Sequence, residues 1–183
     1  LITQQFPKHQ VAWKVLGAIL GQTDRKAEAI DAKKKAVKLA PQDAESHYNL
    51  GITLQEMDRL EEAEMSYRRA TELKPDYFKV HNNLGNILNI MGRSEEAEVS
   101  LRKAIKFEPK FAETHHNLGM TLAGLGRLKE AEASYRQAIS LKPTYAEAHF
   151  ALSGMKTFNE QDAQFLQMQA LSLDVNCSDE QQC

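Results

Sequence analysis

A chain of 183 residues with 42% hydrophobic and 26% charged side chains has the composition of an ordinary folded, soluble protein. Its net charge of −2, with the basic residues not interleaved with exposed aromatics, disfavours nucleic acid as a partner. No apolar run approaches the roughly 18 residues that a membrane span needs, and Cys177 and Cys183 match no zinc or redox spacing, which fits free thiols in a reducing, cytoplasmic compartment.

The chain is written in a period of 34 residues, the signature of a solenoid of stacked supersecondary units. Leu1 to Phe6 is too short to fold alone and is expected to complete or extend a preceding helix; a start at Leu1 without methionine suggests a fragment. A first unit, residues 7–40, places Trp13, Leu16, Gly17, Leu20, Ala29 and Ala36 in the slots that recur later. It holds eight lysines and arginines against three acids, and its run Lys33, Lys34, Lys35 reads as a solvated, outward-facing stretch. Lys33 nevertheless stands in the slot that later holds Tyr67, Leu101 and Tyr135, so this unit packs less apolar surface there.

Units 41–74, 75–108 and 109–142 follow without insertion or deletion, opening on PQDAESHYNLG, PDYFKVHNNLG and PKFAETHHNLG. With Ala44 as position one, Leu50, Gly51 and Leu54 recur as Leu84, Gly85, Leu88 and as Leu118, Gly119, Leu122, an apolar stripe at helical spacing. A glycine within a helix costs about 1 kcal/mol against alanine, so its recurrence requires a packing reason. Ala63, Ala97 and Ala131 on the second helix are the expected points of close approach, and Ala70, Ala104 and Ala138 are expected to meet the next unit's first helix. Pro75, Pro109 and Pro143 end the second helices. Glu61, Glu62, Glu95 and Glu96 open second helices, where acids suit the helix dipole.

The last unit, residues 143–173, is degenerate: Ser153 stands in the glycine slot and Lys156 in a leucine slot, and Ala163 and Ala170 fit a second helix only if two residues are dropped. An atypical terminal unit is what closure of a stack requires. A tail, 174–183, follows, and the whole of 1–183 counts as one repeat domain. The basic first unit and an end that is net −5 after Lys142 favour head-to-tail self-association, weakened by screening at physiological salt.

Glycine, alanine, alanine and proline at these offsets resemble the tetratricopeptide repeat, whose period is 34 residues. That resemblance implies an all-α, right-handed α-solenoid superhelix of stacked antiparallel helix pairs, with five units. It further implies a concave groove lined by the first helices, in which a protein or an extended peptide segment lies. Positions two, five, nine and twelve share one side of a first helix. The lining is then Val11, Lys14, Ala18 and Gly21; Glu45, Tyr48, Ile52 and Gln55; Lys79, Asn82, Asn86 and Asn89; Glu113, His116, Met120 and Ala123; and Glu147, Phe150, Gly154 and Thr157. Five first helices at about 8 to 10 Å span roughly 40 Å, room for about 12 extended residues.

Position six carries Asn49, Asn83 and Asn117, a column that looks like the asparagine ladder in the tetratricopeptide superhelix of the O-linked N-acetylglucosamine transferases, where such amides hold a peptide backbone. An amide both donates and accepts, so it pairs with a peptide bond whatever the side chain. Two readings stand: the ladder binds peptide, or the amides bridge neighbouring helices. The heat-shock co-chaperone clamp does not match, because Ala18 stands where that clamp has asparagine and Asn83 where it has a basic residue.

His47, His81, His115 and His149 recur at position four and are expected to pack against the paired helix. Equivalent residues on successive helices lie about 10 Å apart, too far to converge on one metal ion, so no metal or cofactor is expected. No nucleophile elbow, phosphate loop or zinc signature is present, and the chain reads as a non-enzymatic binding scaffold. The alternative is the repeat region of a larger bacterial transferase, since the last 33 or so residues resemble the connector that precedes a sulfotransferase domain in bacterial repeat proteins; other bacterial relatives continue into glycosyltransferases.

Overall fold

The computed structural model describes residues 8–23 and 25–155. Apolar side chains returning every three and four residues can share one buried side only if the backbone is helical, and among the described residues there are nine α-helices and no strand. They are α1 (Gln10–Gln22), α2 (Lys26–Leu39), α3 (Ala44–Glu56), α4 (Leu60–Leu73), α5 (Phe78–Ile90), α6 (Ser94–Phe107), α7 (Ala112–Gly124), α8 (Leu128–Leu141) and α9 (Ala146–Met155). First helices and second helices each begin at intervals of 34 residues, so the period in sequence is the period of the secondary structure. The fold class is an all-α solenoid of helix pairs. The second half of the fifth repeat, with Lys156, Thr157, Ala163 and Ala170, lies outside the described residues, as do Leu1 to Phe6, Cys177 and Cys183.

Two compact units divide the chain, Leu1–Arg93 and Ser94–Cys183. In the first, α1 pairs with α2 and α3 with α4, while α2 packs on α3 and α4 on α5. In the second, α7 pairs with α8, and α6 packs on α7 and α8 on α9.

The turn within each pair closes the same way. The amides of Arg59, Arg93 and Arg127 reach back to the carbonyls of Leu54, Leu88 and Leu122 at 2.9, 2.8 and 2.9 Å. That wrap needs a left-handed residue just before the arginine. Gly92 and Gly126 supply it at φ 75° and 74°, and Asp58 adopts φ 57° in the same place. Two of these arginines clip their turn to the preceding second helix: Arg93 Nη1 lies 2.7 Å from Glu64, and Arg127 Nη1 lies 2.6 Å from Glu98.

Second helices stop at Leu73, Phe107 and Leu141, two residues ahead of Pro75, Pro109 and Pro143, as the missing amide proton dictates. The histidines at position four do more than pack. Each donates from Nε2 to the carbonyl of the proline six residues earlier: His47 to Pro41 at 3.1 Å, His81 to Pro75 at 2.8 Å, His115 to Pro109 at 2.8 Å and His149 to Pro143 at 2.9 Å. The imidazole thus satisfies a backbone carbonyl in the turn between repeats.

The reason for the helix glycine differs from the expected one. A Cβ at Gly51 would lie 2.6 Å from the ring of Tyr67, and one at Gly119 would lie 2.6 Å from the ring of Tyr135. The closest approach at these two glycines is therefore between a first-helix backbone and a large ring on the second helix; at Gly17 the alanine slot also comes near, Ala29 O lying 3.5 Å from a Cβ there. Ala63 and Ala131 are fully buried; Ala131 joins Leu118, Leu122 and Leu152 in the core of the second unit. Ala138 does meet the next repeat, clustering with Tyr145 and Ala148.

Candidate binding face

The candidate face is built on slots that repeat with the helices. Position five of the first helix, the second-helix slot opposite the glycine and the residue just before the next first helix converge wherever the side chains are large. In the first unit they hold Tyr48, Tyr67 and Tyr77, with ring centroids of Tyr48 6.1 Å from Tyr67 and 5.1 Å from Tyr77. In the second unit the same slots hold His116, Tyr135 and Tyr145, with His116 5.6 Å from Tyr135 and 5.1 Å from Tyr145. Tilted rings at these spacings suit the aromatic quadrupole.

Hydroxyls and amides fix the first of these clusters. The Tyr67 hydroxyl donates to Gln55 Oε1 at 2.9 Å and accepts from Asn83 Nδ2 at 3.4 Å, while Asn83 Oδ1 accepts from Asn82 Nδ2 at 3.3 Å. Burial raises the pKa of Tyr67, and it raises that of Tyr48 against an opposing hydrogen bond with Asn83. Burial also pushes Tyr145 up to about 12. These phenols therefore stay protonated at neutral pH and act as hydrogen-bond donors and acceptors, not as charges.

The residues expected to line the groove divide into two groups. Tyr48, Ile52 and Gln55 on α3 and Asn86 and Asn89 on α5 are half-buried, each with a side open to solvent. Met120 on α7 is 39% exposed. Asn82 and His116, by contrast, are buried at 8% each. His116 was expected to line the groove; it is buried against two tyrosines instead, and burial lowers its pKa despite the opposing charge of Glu147.

The position-six column is half-buried throughout, and its members differ in what their groups do. Asn83 spends its amide on the tyrosine cluster. The backbone carbonyl of Asn49 accepts from Lys33 Nζ at 3.1 Å, and that of Asn117 accepts from Thr121 Oγ1 at 2.8 Å. Lys33 is also where the sequence misleads: Lys34 and Lys35 are exposed, but Lys33 turns inward because it occupies a packed slot. The aromatic triads had a signal that reading by single units overlooks, since Tyr48, Tyr67 and Tyr77 return as His116, Tyr135 and Tyr145 two periods later.

Among the described residues no group of three His, Cys, Asp or Glu side chains is placed to hold a metal ion, and no helix is long and apolar enough to cross a membrane. What the face offers is hydrogen bonding and apolar contact.

Sequence profiles described as tetratricopeptide repeat match residues 12–43, 44–77, 78–111 and 112–145, four contiguous repeats. Among curated proteins none matches the sequence. Solved structures do: a crystal structure of MamA is 25% identical over 80% of this chain and 85% of its own, with a TM-score of 0.74. MamA from Desulfovibrio magneticus RS-1, residues 41 to the end, is 18% identical over 93% of each chain, with a TM-score of 0.75. YrrB, described as a TPR protein with an unusual peptide-binding site, is 19% identical over 95% of this chain and 90% of its own, with a TM-score of 0.73.

Proposed function

We propose that this chain, which belongs to the tetratricopeptide repeat family, is a non-enzymatic binding module whose first helices hold an extended segment of a partner protein. The observation that carries the reading is the mixture on α3 and α5. Asn86 and Asn89 carry amides, Gln55 keeps its Nε2 group while its oxygen accepts from Tyr67, and Ile52 and Tyr48 add apolar surface, all half-buried. An amide satisfies either half of a peptide bond, so such a face reads backbone generally and side chains through the apolar steps between. On the second unit Met120 is 39% exposed, and a polarisable thioether adapts to varied side chains. YrrB, which shares the fold, is described as having a peptide-binding site, and that precedent supports the assignment.

The structure changes which asparagines test the idea. Asn83 is committed to Tyr67, so Asn83→Ala disturbs packing as well as any ligand, at about 1 kcal/mol for a lost hydrogen bond. Asn49→Ala combined with Asn86→Ala is the cleaner change. Peptides selected on the native chain from a displayed library of 12-residue segments are expected to bind this double variant at least tenfold more weakly, with the thermal midpoint within about 2 °C of native. Undiminished binding by the double variant would remove the amides from the recognition surface.

A further inference from the structure

The first repeat breaks the pattern of ring against glycine, and the break leaves a charge inside. Gly17 faces Lys33, whose Cγ would lie 2.8 Å from a Cβ at residue 17. The lysine stem therefore lies against α1 where Tyr67 and Tyr135 lie against α3 and α7. Its ammonium is carried inward, donating to the Asn49 carbonyl oxygen at 3.1 Å and to Thr53 Oγ1. An ammonium has three protons to give, and no carboxylate among the described residues forms an ion pair with Lys33. Burial lowers its pKa, with only the more distant charge of Glu56 opposing.

Beside this ammonium a cleft of about 110 Å³ opens between α1, α2 and α3, lined by Lys14, Ala18, Lys33, Ala36, Ser46 and Asn49. Lys14 is outnumbered, bonding both Asp43 at 3.2 Å and Glu45 at 2.5 Å, so its own charge is more than neutralised and it offers nothing to a further anion. The Ser46 hydroxyl is likewise turned to Asp43, at 2.8 Å. Lys33 is the cation of the cleft with no carboxylate bonded to it. A partly buried cation without a counter-ion is a destabilising arrangement that an incoming anion relieves.

We infer that this cleft is an acidic subsite of the binding face, taking the side-chain carboxylate of an aspartate or glutamate in the bound segment, with the Lys33 ammonium as its counter-ion and the Asn49 amide as a second donor. The inference rests on the peptide-binding reading and adds the chemistry of the partner: an acidic residue at the point where the segment crosses α1 and α3. One unpaired positive charge calls for one negative charge. A phosphate would bring a second, close to Asp43 and Glu45, and like charges there oppose it. The site differs from a clamp for a chain terminus in that its cation comes from a second helix and Ala18 adds no polar group.

The test uses the isotopically labelled full chain and small probes, so that it works whether or not a long peptide is captured. Blocked glutamate (N-acetyl, C-amide) is expected to move the amide and side-chain resonances of Lys33, Asn49 and Thr53 saturably, with blocked glutamine at least tenfold weaker. Lys33→Met keeps the stem against Gly17 and removes the charge; it is expected to abolish the response while the rest of the spectrum stays native. If that variant fails to fold, the glutamate-to-glutamine comparison on the native chain still decides. Equal response to glutamate and glutamine, or an undiminished response in Lys33→Met, would overturn the subsite. Tighter binding of inorganic phosphate would overturn the carboxylate, and tighter binding of N-acetylglycine, whose carboxylate is a chain terminus, would overturn the side-chain source. Loss of peptide capture with the glutamate response intact would count against the peptide reading alone.

Discussion

Gly119→Leu is expected to cost the second unit more stability than any surface change, well above the 1 to 3 kcal/mol typical of an overfilled contact. A Cβ at this position already stands 2.6, 2.7 and 3.0 Å from three ring carbons of Tyr135, inside the 3.5 to 4.0 Å at which carbons attract. The ring has nowhere to go, because it is 3% exposed and His116 sits 5.6 Å away on its other side. Even Gly119→Ala should show a cost of about 1 to 3 kcal/mol in urea unfolding, read from the midpoint at unchanged slope. The diagnostic is the pair: in a Tyr135→Ala background the alanine at 119 should be far better tolerated, with a coupling of about 0.5 to 3 kcal/mol. Strict additivity would mean that the ring is not what the glycine makes room for.

Tyr67→Ala should remove about 3 to 5 kcal/mol from the first unit, a large share of the 5 to 15 kcal/mol that holds a domain together. Tyr67 is fully buried, its ring lies over Gly51, it touches Tyr48, and its hydroxyl joins Gln55 to Asn83. Tyr67→Phe separates the ring from the hydroxyl. It should cost only about 1 kcal/mol, since Gln55 and Asn83 are half-buried and water can replace the phenol. Calorimetry of both variants checks this, and a phenylalanine as damaging as alanine would show that the hydrogen bonds, not the ring, carry the seam.

These two residues mark where sequence reading succeeds and where it stops. Helix starts at Ala44, Phe78 and Ala112 and helix ends before Pro75, Pro109 and Pro143 are legible because period and proline act locally. The partner of the glycine is not, because a period says which residues recur and not which of them meet across two helices. Alanine fills its second-helix slots in four repeats where the neighbouring slot varies as Lys33, Tyr67, Leu101 and Tyr135, and only the packing shows that this variable slot sits over the glycine. The histidines posed the same difficulty: an aromatic at position four reads as packing, whereas the bond to the proline carbonyl depends on the chain folding back over six residues. Lys33 set two rules against each other. Its charge predicts solvent and its slot predicts burial, and the slot prevailed because a long stem can fill a ring's place while its head finds the Asn49 carbonyl.

The candidate face was legible in outline and not in detail. Tyr48, Ile52, Gln55, Asn86 and Asn89 share the side of the first helices that helical spacing assigns them. Asn82 and His116 occupy the same register yet are buried, because in folded repeats position five is the seam between neighbours and reaches solvent only in part. Asn83 shows that a ladder repeated in sequence need not be uniform in use: its amide is bound to tyrosine, while Asn49 borders an open cleft.

Backbone amide mapping of the labelled chain with a selected peptide is the most direct test of the whole account. Shifts concentrated on Tyr48, Ile52, Gln55, Asn86 and Asn89 are the predicted result, with second helices quiet apart from Lys33. Second helices expose apolar residues of their own, Met65 at 72%, Val99 at 56% and Leu128 at 57%. Shifts confined to those residues, with α3 and α5 silent, would place recognition on the opposite side of the helix pairs and contradict the account.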